Sequence, residues 1–177
     1  IDVGGGSTEI TLFSQYRKIA SRSFNIGTIR ILKNLVSNRH WKEMKQWIKS
    51  YKGNYSRIAA IGSGGNINKI SRLANTKIGK PLIYDKMQQV RKFLNSFTLD
   101  QRITELKLRP DRADVILPAA RIYMSAMKWA GIENIYVPQI GLADGLVRVL
   151  FEHHKSGKKN KLQQLGNGVY WKMALNQ

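Results

Sequence analysis

The 177-residue chain has no cysteine, four prolines, and 11 acidic residues against 30 lysines and arginines. Without cysteine, a disulfide framework and any thiolate metal site are excluded. No run of about 18 consecutive apolar residues occurs and no basic-then-apolar leader opens the chain, so the expected location is the cytoplasm, away from membranes. An apolar fraction of 42% is close to the globular average, which argues against a disordered chain and for one domain with its own core.

The scarcity of acids is uneven. Between Arg17 and Lys80 fifteen basic residues face a single acid, Glu43, within a formal net charge of +19. Such a field concentrates polyanions of any kind: nucleic acid, polyphosphate or a phosphorylated nucleotide. No helix-turn-helix or aromatic RNA platform accompanies it, so nucleic acid is disfavoured. The histidines add no metal site, because His40 stands alone and the adjacent pair His153-His154 has no acid cluster beside it.

Period-2 alternation predicts strands over Glu9–Phe13 and Lys18–Phe24, joined by a turn at Ser14-Gln15-Tyr16-Arg17. Thr28 is expected to cap a helix carrying Ile29, Leu32, Leu35 and Val36. From about Asn38 a second helix places Trp41, Met44, Trp47, Ile48 and Tyr51 on one face and Lys42, Lys45, Lys49 and Lys52 on the other, a core stripe and a solvated stripe. A buried strand over Arg57–Ile61, a helix over Asn66–Ala74, a short strand over Pro81–Tyr84 and helices from Asp85 and Thr98 follow. A long helix over Asp111–Gly131 contains Pro118, which should start, kink or interrupt it. A strand at Ile135–Val137, a turn at Gly141 and an amphipathic helix with Leu142, Leu146, Val149, Leu150 and His153 complete the order. The order β β β α α β α, a helical insert over about 76–131, then β α, describes an α/β domain of the ribonuclease H-like, actin-like ATPase and sugar kinase type, with three layers and a mixed sheet. Residues 1–154 form this domain and 155–177 a basic tail. The opening Ile1-Asp2-Val3 reads as the end of a buried strand, which makes the chain the expected C-terminal part of a longer protein.

Two glycine loops carry the chemistry. Asp2-Val3-Gly4-Gly5-Gly6-Ser7-Thr8-Glu9 lies between two strands. Three successive glycines lose much backbone entropy on folding unless a turn or a ligand requires them, and Ser7 and Thr8 add hydroxyls suited to phosphate oxygens. Asp2 and Glu9 could hold a hydrated Mg²⁺ or another divalent cation, or orient a water. A plain Gly-rich hairpin with two solvated acids has the same composition. No Lys follows the glycines, so this is no Walker A loop. The second loop, Gly62-Ser63-Gly64-Gly65-Asn66, follows a strand and opens a helix, where N–H groups and the helix dipole converge. Ile67 stands where a dinucleotide fingerprint needs glycine, and a tight structural turn uses the same residues.

Together with Arg112-Ala113-Asp114-Val115-Ile116-Leu117-Pro118 and Gly141-Leu142-Ala143-Asp144-Gly145-Leu146, these loops resemble the exopolyphosphatase and guanosine pentaphosphate phosphohydrolase (Ppx/GppA) family, specifically its second ribonuclease H-like domain. Asn66 stands in place of the family's usual Thr, Ala119 of a glycine, and Ala143 of an Arg. Arg112 and Asp114 are expected to form a structural pair or cap. The resemblance implies a hydrolase cutting the terminal phosphoanhydride of inorganic polyphosphate or guanosine pentaphosphate, or a non-catalytic relative that binds these ligands. It implies phosphate on Gly4, Gly5, Gly6, Ser7, Thr8, Gly62, Ser63, Gly64, Gly65 and Asn66, with Asp2 and Glu9 on the catalytic and Mg²⁺ side. The general base would come from a first domain absent here, so this half alone should turn over little. A homodimer is compatible with the same reading.

Overall fold

The computed structural model describes residues 1–15, 17–55, 57–138 and 142–155, with Leu142, Ala143 and His153 described by their backbone alone. The order is β1 (Asp2–Val3), β2 (Thr8–Ser14), β3 (Arg17–Phe24), α1 (Thr28–Leu32), α2 (Asn38–Lys52), β4 (Ala60–Ile61), α3 (Gly65–Leu73), β5 (Leu82–Ile83), α4 (Tyr84–Asn95), α5 (Leu99–Thr104), α6 (Pro110–Ala113), α7 (Ile116–Ala130), β6 (Asn134–Tyr136) and α8 (Leu142–Lys155).

Strands β1, β2 and β3 form an antiparallel meander with Asp2 opposite Glu9 and Thr8 opposite Phe24. A second sheet has the order β4-β6-β5, parallel between β4 and β6 and antiparallel between β6 and β5. The two meet through one parallel bridge, Asp2 to Ser63. Around it the Ile1 nitrogen donates to the Ile61 carbonyl at 2.8 Å, and the Ser63 N–H donates to the Ile1 carbonyl at 3.0 Å. The chain is therefore α/β with mixed strand directions, and β1 lies between the hairpin and the segment leading into Ser63.

The strand expected over Arg57–Ile61 is shorter than its apolar run implies, since only Ala60–Ile61 pairs. Residues 57–59 border an open groove, and a strand exists only where a neighbour takes up its N–H and C=O groups. Thr28 is not the cap of α1. Gly27 takes that position, and the first N–H groups of the helix find the carbonyls of Gly4 and Gly5 instead of a side chain: Thr28 to Gly4 at 3.0 Å, Ile29 to Gly5 at 3.0 Å. The helix ends at Leu32, so Leu35 and Val36 lie beyond it.

Helix α7 is the centre of the core. Ile116, Ala119, Ala120, Ile122 and Met127 are fully buried, and α1, α2, α3 and α4 pack around them. Pro118 falls in its first turn, where a missing N–H loses no intrahelical bond; the break after α6 at Asp114–Val115 is the interruption the sequence foretold. Gly131, with φ at 70°, ends the helix in the left-handed conformation that favours glycine. The α2 aromatic stripe is core: Trp47 meets Phe24 edge-on at 5.6 Å between ring centres, and Trp41 meets Trp129 at 6.1 Å. Its lysines face solvent.

The tightest backbone approach is Gly27 on the first glycine loop. A Cβ at Gly27 would lie 2.3 Å from the Gly5 carbonyl oxygen, with backbone that has nowhere to yield. We expect Gly27→Ala to destabilise the protein by ~1–3 kcal/mol in urea denaturation, in the range of overpacked sites. Gly53→Ala, where a Cβ meets nothing within 4 Å, should stay within about 0.5 kcal/mol of the parent. Equal midpoints for the two variants would show that this approach does not hold the loop.

Candidate active site

The first loop connects β1 to β2, and its polar groups divide by strand parity. Residues i and i+2 of a strand share a face, so Thr8 lies on the face of Ile10, and Ser7 and Glu9 on the other. Thr8 is fully buried and its hydroxyl donates to the Ile26 carbonyl at 2.6 Å. This corrects the expectation for that residue: its side chain fastens the loop to the segment before α1 and does not reach a ligand. On the outer face Glu9 stands directly across from Asp2, both exposed, and its Oε1 accepts from the Ser7 hydroxyl at 2.6 Å and the Ser23 hydroxyl at 2.8 Å. Gly4 spends its N–H on the Ser7 carbonyl at 2.9 Å. Gly5 packs against Ile29, whereas Gly6 is exposed, with open space where a Cβ would be.

The second loop lies alongside, joined by the Asp2–Ser63 bridge. Gly62 is buried, its N–H on the Tyr136 carbonyl at 2.8 Å, and a Cβ there would run into Ile135, Ile67 and Tyr123. It is a packing glycine, which corrects its assignment to phosphate binding. The Ser63 N–H is likewise spent on β1, and its carbonyl accepts the Tyr123 hydroxyl at 2.7 Å. Burial, with the nearby Asp2 carboxylate, pushes that phenol well above its ordinary pKa, so it stays a neutral donor. Gly64 has φ at 104° and turns the chain so that a Cβ on it would lie 3.3 Å from Asp2 Oδ1. Gly65 is the first residue of α3. Gly64, Gly65 and Asn66 are left at the start of a nine-residue helix, where N–H groups have no partner within the helix.

Three contributors are not evident from the sequence. Gly27 seats the first loop, Tyr123 holds the Ser63 carbonyl, and the Arg112 guanidinium lies over Gly65 and donates to Asn66 Oδ1 at 3.3 Å. Arg112 also approaches Asp111 at 3.7 Å, which replaces the expected pairing with Asp114. One Asp114 oxygen is buried with no hydrogen-bond partner among the described residues. Beside Gly65, a hollow of about 300 Å³ is lined by Lys69, Arg72, Lys107, Arg109 and Arg112, five cations next to the helix start. Of the fourth motif, Gly141 lies outside the described residues, as does the Ala143 side chain.

Asp2 and Glu9 offer oxygen donors only, from two paired strands on one sheet face. Among the described residues no cluster of three or more acids or histidines exists. Mg²⁺ keeps several waters and takes one or two carboxylates together with phosphate oxygens, so this pair fits a phosphate-associated divalent cation and would not cage one alone.

Residues 1–154 match the Ppx/GppA phosphatase family. The chain belongs to that family. No curated protein matches it in sequence. Its fold is similar to the type II variant of the Aquifex aeolicus Ppx/GppA phosphatase, with a TM-score of 0.68 at 21% identity over 82% of this chain and 54% of that one. An exopolyphosphatase from Cytophaga hutchinsonii is similar at a TM-score of 0.65 and 18% identity, over 85% and 55%. The chain thus spans a little over half the length of these structures.

Gly6 offers a clean probe, because a side chain there disturbs no packing. We expect Gly6→Val to keep the parent melting temperature and to weaken binding of inorganic tripolyphosphate with Mg²⁺, by calorimetry, at least about tenfold. Parent binding should itself weaken as salt rises. Undiminished affinity in the variant would place the anion elsewhere.

Proposed function

We propose that this chain is one wall of the cleft of a phosphohydrolase that removes the terminal phosphate of inorganic polyphosphate, and that it is the second, three-layer ribonuclease H-like domain of such an enzyme. The reading rests on one observation above the others: Asp2 and Glu9 are cross-strand neighbours at the mouth of two glycine loops that open side by side. Membership of a phosphatase family supports the reaction class. A chain of phosphates is favoured by the cationic hollow beside Gly65, where phosphates behind the terminal one have charge to rest against.

In this reading the terminal phosphate lies over Gly6 and the start of α3, held by backbone N–H groups, while Ser7 acts through Glu9. Divalent metal bound by Asp2 and Glu9 would neutralise the phosphate charge. Ser7 and Ser23 hold the Glu9 carboxylate in place and leave its other oxygen for a water or for that cation. Tyr123 and Thr8 keep the two loops in position without touching the ligand. Phosphoryl transfer depends chiefly on positioning and charge, and a single wall cannot exclude water, so the base and the opposite wall belong to another domain. Residues 155–177 are its basic tail, and the location is cytoplasmic.

In the two-domain protein, Glu9→Gln or Asp2→Asn should lower phosphate release from polyphosphate by ~10²–10⁴-fold. Thermal stability should change little, since both acids are exposed. Residues 1–177 alone should bind polyphosphate yet release phosphate far more slowly than the two-domain protein. Near-native turnover by either variant would remove these acids from the chemistry, and faster release from guanosine pentaphosphate than from polyphosphate would reassign the substrate.

A further inference from the structure

The basic residues beside the second glycine loop form a row. Asn68, Lys69 and Arg72 follow Gly65 at helical spacing and share one face of α3, so that Arg72 lies ~10 Å along the helix from Gly65. The other side of the hollow is made by Lys107 and Arg109, from the segment between α5 and α6, and by Arg112 of α6. Among the described residues Asp111 alone pairs with any of these five cations, with Arg109 at 3.1 Å and Arg112 at 3.7 Å. Lys69, Arg72 and Lys107 have no acidic partner there. Like charges gathered in a concavity focus their field, and a polyanion relieves their repulsion.

Lys107 adds a second sign. Its φ is 52°, the left-handed conformation that favours glycine, in the turn that ends α5, where the Leu108 N–H donates to the Arg102 carbonyl at 3.0 Å. Glycine would make this turn at less cost, and what lysine brings instead is a charge in the hollow.

The lining says which anion fits. Among the described residues it holds no aromatic ring to stack on a base and no carboxylate to take up ribose hydroxyls. A single phosphate would meet one end of the row, whereas a linear chain with a negative charge on every unit matches it along its length. We propose that the hollow is a track for the inner phosphates of a linear polyphosphate, in which Lys69, Arg72, Lys107 and Arg109 make affinity rise with chain length. Arg112, lying over Gly65, links the track to the loop. This inference rests on the reading of the glycine loops as the seat of the terminal phosphate, and adds to it the residues that set chain-length preference.

The test titrates the full chain, with Mg²⁺, by inorganic tripolyphosphate and by linear polyphosphate of about fifteen phosphates, using calorimetry over a range of salt. We expect the parent to bind the longer chain at least about thirtyfold more tightly. Lys69→Gln combined with Arg72→Gln should reduce that ratio to about threefold, lower the salt slope for the long chain, and change tripolyphosphate affinity by no more than about threefold. Lys107→Gly should melt at or above the parent temperature and still weaken long-chain binding by about threefold or more, which a merely structural residue would not do. Lys45→Gln combined with Lys49→Gln takes the same charge from the exposed face of α2 and should leave the ratio within about twofold of the parent. A ratio that survives in the hollow variants, or falls as far in the α2 variant, would overturn the proposal. Equal losses for tripolyphosphate and the long chain would do so too, since the hollow would then hold the terminal phosphates. Gly6→Val separates this from the loop reading: tripolyphosphate binding that ignores that change overturns the loop reading, whereas sensitivity to it with an undiminished ratio in the hollow variants overturns the track alone.

Discussion

The parallel pairing of β1 with the segment that ends at Ser63 is the contact on which the rest of this structure depends. Two backbone hydrogen bonds to Ile1 and one bridge at Asp2 join an antiparallel hairpin sheet to a mixed one. Because β1 and this segment run in the same direction, the loops that follow them leave from the same edge. That is why two glycine turns separated by more than fifty residues of sequence open beside each other, with Asp2 between them. Slide the pairing by one residue and Asp2 would turn inward while Val3 faced solvent.

The glycines of the two loops serve different ends, and geometry sorts them. Gly62 is small because Ile135, Ile67 and Tyr123 leave no room, and Gly27, outside both motifs, because the Gly5 carbonyl does. A Cβ on Gly6 would meet nothing within 4 Å, and Gly64 needs a positive φ to swing the chain from strand to helix. Of these four, Gly6 alone has neither packing nor backbone conformation to account for it, which leaves a ligand as the explanation. The charge divides in a similar way. The lysines of α2 are a solvated face, whereas Lys69, Arg72, Lys107 and Arg109 gather with Arg112 where the second loop opens, though the sequence distributes basic residues over both regions without distinction.

Local features were legible in the sequence because local physics produces them. The period of α2, the turn chemistry after two apolar strands and the interruption near Pro118 all follow from spacing and backbone geometry within a dozen residues. The burial of Thr8 follows from the same local physics, since it precedes Ile10 by two and shares its buried face. The cap of α1, the seat of Gly62 and the contact of Arg112 with Asn66 were not legible, because each depends on atoms brought together from distant positions. The short extent of β4 has a related cause: Arg57–Ala59 have strand composition, and pairing alone makes a strand.

The central claim is that the two loops form one anion site. The direct measurement is a titration of the ¹⁵N-labelled chain with inorganic tripolyphosphate and Mg²⁺, following backbone amides by NMR. The account predicts that amides of residues 4–8 and 64–66 shift together, along a single binding curve, while those of the α2 lysine face stay still. Shifts confined to the lysine face, or separate affinities for the two loops, would contradict it.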